Sequence, residues 1–157
     1  MIYSINITPD RDTGIGRWTE QDFYEAMHAG ISKDGSHLYP AFPYPWFTKV
    51  TRADVDAIKA YLDTVAPVIQ KDKANQLPWI LRWRGELAGW NLLFFDEGRY
   101  QPDAAQSAQW NRGAYLVEGL AHCGACHTPD NWLGGTKHNE SFKGGNAGLH
   151  WAAPGLG

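Results

Sequence analysis

The chain has 157 residues, a formal net charge of -3, and 43% hydrophobic against 20% charged residues. That balance describes a globular protein of one ordinary domain or two small ones; with no Lys/Arg run, it argues against a nucleic-acid partner. No run of about 18 apolar residues gives a transmembrane helix, and the opening MIYSINITPD lacks the basic and apolar regions of a signal peptide.

Residues 1–17 read as irregular, because Asn6-Ile7-Thr8-Pro9-Asp10 and Asp12-Thr13-Gly14-Ile15-Gly16 are turn chemistry. A helix is predicted from Thr19. Thr19 is its N-cap, Asp22 imitates a capping box, Trp18 and Phe23 form a hydrophobic staple, and Gly30 closes it. Phe23, Ala26 and Met27 share one face of that helix. Residues 31–50 are predicted as a long loop. Pro40, Pro43 and Pro45 stiffen it, and Tyr39, Phe42, Tyr44, Trp46 and Phe47 make it an apolar wall, either over a core or beside a cofactor crevice.

The same grammar recurs at residues 52–65. Thr51 is the N-cap, Asp54 sits three residues on, Val50 and Val55 staple the entry, and Val55, Ile58, Leu62 and Val65 share a face with Tyr61 beside them. Pro67 ends this helix. Residues 66–77 read as a linker. Pro78 suits the first position of a further helix, whose Trp79, Ile80, Leu81, Trp83, Leu87, Trp90, Leu92, Leu93, Phe94 and Phe95 are apolar nearly all round, broken by Arg82, Arg84 and Glu86. It is predicted to be buried between two lobes or against a partner, and to end at Gly98 and Pro102.

Ser107 caps a predicted helix over residues 108–120, with Ala114, Val117 and Leu120 in one stripe and Tyr115 and Leu116 flanking it. Gly113 in its interior costs about 1 kcal/mol against alanine and is expected to mark the close approach of another helix. Cys123-Gly124-Ala125-Cys126-His127 follows, and it contains both cysteines of the chain. C-x-x-C-H is the spacing of a c-type haem attachment site. Two thiols a helical turn apart each add to one vinyl group of a porphyrin edge, and the next residue presents an imidazole to the iron.

Three other readings of the cysteine pair stand beside this one, the plainest being two core cysteines. A dithiol of thioredoxin type belongs at the start of a helix after a strand, whereas the segment before Cys123 reads as helix. A zinc site needs two further ligands, and His122 and His138, the nearest candidates, repeat no zinc signature. Residues 128–157 carry many glycines and no clear helix. No strand with sustained alternation occurs, so the fold class expected is all-α with long loops. Paired catalytic carboxylates, a nucleophile elbow and a phosphate-binding glycine loop are all missing from the sequence.

NITPDRDTGIGRW (6–18), DGSHLYPAFPYPWF (34–47), DVDAIKAYLDTVAPV (54–68), WNLLFFDEGRYQPD (90–103) and WNRGAYLVEGLAHCGACHTPDN (110–131) together resemble the multi-haem c-type cytochrome subunits of periplasmic membrane-bound dehydrogenases. The resemblance implies haem c held by Cys123 and Cys126, with His127 as proximal iron ligand, and class I cytochrome c-like helices. It implies a non-catalytic electron carrier in the periplasm, between a dehydrogenase catalytic subunit and a quinone or oxidase acceptor. Any membrane association would be peripheral, through the complete complex. Set on the family pattern, the chain divides into three parts. Residues 1–68 correspond to the C-terminal half of one cytochrome c-like domain without its haem motif, residues 69–106 to a connector with a buried helix, and residues 107–157 to the N-terminal half of a second domain. The pattern and the lack of a signal peptide give the appearance of a sequence cut at both ends.

One departure leaves the distal iron ligand unassigned. The family loop often reads Ala-Met-Pro-Tyr, with the methionine on iron; here it reads Ala41-Phe42-Pro43-Tyr44. His37, Tyr39 and Tyr44 are nearby donors, and Met27, which shares a face with Phe23, reads as core. A thiol redox protein using Cys123 and Cys126, or an inactive truncated fragment, are the alternative functions. The two incomplete halves are also expected to complete each other in a hybrid lobe, in which helix 52–65 crosses helix 108–120 with Tyr61 or Ala57 against Gly113.

Overall fold

The computed structural model describes residues 1–78, 84–146 and 152–157. The described chain is helical with almost no strand, in line with the all-α expectation. Helix α1, Glu20–Ala29, starts where its cap predicts. The Thr19 hydroxyl accepts from the Asp22 N–H, and the Asp22 carboxylate accepts from the Thr19 N–H, a complete capping box. Gly30 ends it at φ 67°. A Cβ there would lie 2.7 Å from the Tyr44 ring, so both conformation and space require glycine. Phe23, Ala26 and Met27 are buried as their spacing predicts, Met27 as a core residue.

The segment 31–50, expected as loop throughout, contains a one-turn helix α2, Tyr44–Phe47. Pro45 reads as a helix breaker in sequence but sits in the first turn, where no intrahelical N–H is needed. This turn buries Tyr44, Thr48 and Val50 completely. Helix α3, Arg52–Leu62, has Thr51 as N-cap and Val50 stapled to Val55, both fully buried. It stops three residues short of the predicted end. Asp63 takes the cap position, and its carboxylate receives the buried Lys59 ammonium at 2.7 Å.

Of the predicted helix beginning at Pro78, residues 79–83 lie outside the described residues; the described part is α4, Gly85–Phe94. It is not buried all round. Leu87 is buried, but Leu92 and Leu93 are 87% and 70% exposed. The covered side bridges two parts of the chain. Tyr44 Oη donates to Asn91 Oδ1 at 2.5 Å and Phe95 meets the Tyr44 ring edge-on at 5.1 Å, while Trp90 Nε1 donates to the Leu133 carbonyl at 3.0 Å. Phe94 lies so close to Gly135 that a Cβ there would come within 2.4 Å of it.

The predicted helix 108–120 is two segments: α5, Ala108–Tyr115, and a π-helical turn, Leu116–Leu120. Such single π turns inside helices are frequent at functional sites. The turn leads to α6, Gly124–His127. Beyond it, β1, Gly145–Asn146, pairs antiparallel with β2, Ala152–Ala153, with Gly145 opposite Ala153.

The core draws on both sides of the connector: Ile15, Phe23, Met27, Val50, Val55 and Tyr115, with Phe47, Ile58, Leu62 and Leu120 packed around them. The predicted Gly113 contact is not made. Among the described residues, no atom beyond the backbone of its own helix lies within 4 Å of a Cβ built on Gly113, and Tyr61 is 69% exposed. Tyr115, two residues further on, joins the two segments instead. Its hydroxyl donates to Asp54 Oδ2 and accepts from the Thr51 N–H at 3.1 Å, at the N-terminal end of α3. Asp54 therefore does not bond back to its own cap as Asp22 does. Gly113 faces a shallow open hollow of about 350 Å³, lined also by Trp110, Ala114, Val117, Glu118 and Phe142.

Candidate haem attachment site

Cys123, Cys126 and His127 sit at the end of the line α5, π turn, α6. The π turn hands over to the motif through the Cys123 N–H, which donates to the Val117 carbonyl at 3.0 Å. His122, just before it, is left-handed at φ 39°, a conformation that costs a non-glycine residue free energy. The Cys123 carbonyl accepts from the His127 N–H at 3.1 Å, so α6 is a single turn spanning the motif. The two thiols are free and not joined to each other; Cys126 is exposed and Cys123 half-buried. Placed one turn apart on one short helix, they suit addition to two vinyl groups along one macrocycle edge.

The imidazole of His127 is fixed by a residue far along the chain. His127 Nδ1 lies 2.7 Å from the Pro154 carbonyl oxygen. A carbonyl oxygen can only accept, so Nδ1 carries the proton and the lone pair of the neutral ring is on Nε2. A backbone acceptor of this kind fixes the tautomer and the orientation of the ring. The β1–β2 pair brings Pro154 to this position. Gly144 N–H donates to the His127 carbonyl at 2.8 Å, at φ 97° for Gly144, and a Cβ on Gly145 would lie 2.6 Å from the Cys126 and Thr128 carbonyl oxygens. Thr128, 2% exposed, closes the same region by accepting the Phe142 N–H on its hydroxyl at 3.1 Å.

The other wall comes from α2 and the residues after it. Trp46 lies against the motif backbone: a Cβ on Gly124 would be 2.1 Å from its ring. Phe47 meets the His122 ring at 5.0 Å and 73°. Val50 and Lys49 pack on Gly119 at 3.4 and 3.5 Å from its Cβ position. Trp46, Phe47, Lys49 and Val50 thus pack directly against the motif and the turn before it, and the part of 31–50 that does so is partly helical. The other donors named from sequence are engaged elsewhere. Tyr44 is fully buried against Asn91, Arg84 stacks over Tyr39 at 5.4 Å, and His37 Nδ1 lies 3.4 Å from Asn91 Nδ2. Burial pushes the Tyr44 phenol up to about 12, against the opposing effect of its bond with Asn91.

Among the described residues, no group of three or more His, Cys, Asp and Glu gathers to hold a metal ion, and His122 and His138 join no such group with the thiols. No described helix is long and apolar enough to cross a membrane. Pro154, Trp46 and Phe47 are the site residues that motif spacing does not reveal. The local hints are the aromatic run that holds Trp46 and Phe47, and Gly124, a glycine between the cysteines where the pattern accepts any residue.

No family model matches the chain. It is 52% identical over 155 residues to a nicotinate dehydrogenase subunit of Pseudomonas putida, covering 99% of this chain and 13% of that one. It is 49% identical over 130 residues to the gluconate 2-dehydrogenase cytochrome c subunit of Pantoea cypripedii, covering 82% of this chain and 30% of that one. It is 44% identical over 134 residues to a dihaem c-type cytochrome of Cereibacter sphaeroides, covering 82% of this chain and 43% of that one. The chain therefore spans less than half the length of each of these relatives. At these identities it is a homologue of the cytochrome c subunits of dehydrogenases.

Proposed function

We propose that this chain carries a covalently bound haem c and passes electrons as part of a dehydrogenase's cytochrome subunit. Cys123 and Cys126 hold the haem by thioethers, and His127 Nε2 is the proximal iron ligand. The haem supplies one-electron redox chemistry when bound; the protein's part is attachment, orientation and burial. The observation that carries this reading is the Nδ1 contact of His127 with the Pro154 carbonyl at 2.7 Å, which commits the ring to a tautomer with its lone pair on Nε2.

Residues 1–68 and 107–157 then represent parts of successive cytochrome c-like domains and residues 69–106 the connector, as the resemblance implies. The electron donor is a dehydrogenase catalytic subunit, the acceptor a quinone or oxidase, and the location periplasmic. The chain itself is a carrier and not the catalyst. The distal ligand has no assignment.

The test is expression behind an export signal in a host that attaches haem to C-x-x-C-H. The haem should survive denaturation and acid–acetone extraction. His127→Ala should lose the proximal ligand's spectral signature. Wild-type protein with no covalent haem under these conditions overturns the proposal.

A further inference from the structure

Three aromatic rings run from the surface to the residue next to Cys123. Phe42 is 37% exposed. Its ring meets Phe47 at 5.4 Å between centroids and 57° between planes. Phe47 meets His122 at 5.0 Å and 73°. Both contacts fall in the range of favourable tilted and edge-to-face pairs. His122 is bonded to Cys123 through one peptide link. Its left-handed backbone at φ 39° is uncommon for a residue other than glycine. The structure thus tolerates local strain at the place where the ring series meets the motif.

We propose that Phe42, Phe47 and His122 form the route by which the haem exchanges electrons with a one-electron redox partner at the Phe42 surface. The inference rests on the haem reading above. Electron tunnelling weakens less through bonded and closely packed atoms than across water, and the three rings leave no solvent gap between the surface and Cys123. One electron leaves the donor and one is gained by the haem iron; no bond is made or broken and no proton moves. A second aromatic contact, Trp46 with the exposed His138 at 6.2 Å, does not pass through Phe47 and serves as the internal control.

The experiment attaches a ruthenium polypyridyl photosensitiser to a new thiol in the haem-loaded full chain. In one version the thiol is Ala41→Cys, beside Phe42; in the other it is Asn139→Cys, beside His138. Both positions are exposed. Flash-induced haem reduction is timed with Phe47 intact and in Phe47→Leu, which keeps an apolar side chain and removes the ring. In Phe47→Leu, reduction from position 41 should slow several-fold relative to reduction from position 139 in the same variant. An unchanged rate from position 41, or equal slowing from both positions, overturns the route. Phe42→Leu, at the exposed end, gives the same comparison if Phe47→Leu does not fold. A wild-type chain without covalent haem fails at the earlier step and overturns the haem reading itself.

Discussion

Replacing Tyr115 by phenylalanine removes one hydroxyl and keeps the buried ring. The hydroxyl donates to the Asp54 carboxylate and accepts from the Thr51 N–H, joining the segment that carries the motif to the N-terminal end of α3. A hydrogen bond to a charged group contributes about 1.5–3 kcal/mol when the partner is left without a substitute. Asp54 is half-buried and Thr51 exposed, so water replaces part of what is lost. Tyr115→Phe should therefore destabilise the chain by about 1–2 kcal/mol. For a chain of this size that is a fall in Tm of about 2–4 °C per kcal/mol. Urea titration followed by tryptophan fluorescence measures it. Asp54→Ala completes a double-mutant cycle, whose coupling energy should exceed about 0.5 kcal/mol. A Tyr115→Phe protein as stable as wild type, or additive single effects, would refute the idea that this hydroxyl joins the two segments.

Gly124→Ala puts a Cβ 2.1 Å from the Trp46 ring and should cost about 1–3 kcal/mol in the same titration, with Trp46→Ala relieving the clash. Gly113→Ala meets no neighbour and should stabilise α5 by about 0.5–1 kcal/mol, seen as a higher urea midpoint; destabilisation would mean that another element packs on Gly113 after all. The raised phenol of Tyr44 stabilises the fold fully below the ordinary tyrosine value of 10.0, and this contribution is lost as pH climbs through about 12. Ultraviolet titration should show a phenolate that forms only with alkaline unfolding; all seven tyrosines ionising near 10 in the folded chain would contradict this. At acid pH, Lys33 is the main cause holding Asp22 down at about 2. The capping box of α1 should lose its support as pH falls from the ordinary 3.8 through about 2, read as fraying of α1 by amide exchange.

The legible parts of the fold are those decided within a few residues. Thr19 with Asp22, Gly30, and Thr51 with the Val50–Val55 staple act over one helical turn, and each lies where the sequence places it. The C-x-x-C-H spacing is local too. What escapes a sequence reading depends on partners far along the chain. Gly113 reads as a close-approach site, but the contact falls to Tyr115, whose partner Asp54 is 61 positions away. The one-turn helix at Tyr44–Phe47 is hidden because prolines count as breakers unless the first turn is recognised. The break between α5 and the π turn leaves no compositional trace in LVEGL.

The link between His127 and Pro154 has a consequence for the order of events. Synthesis runs from the N-terminus, so both thiols emerge 28 or more positions before the carbonyl that orients the imidazole, 27 positions beyond His127. Until Pro154 arrives and β2 pairs with β1, the histidine ring has no acceptor to choose its tautomer. The two cysteines are thus in the chain before the His127 ring has its acceptor. A chain halted short of Pro154 would keep both thiols but lack the carbonyl that orients the His127 ring.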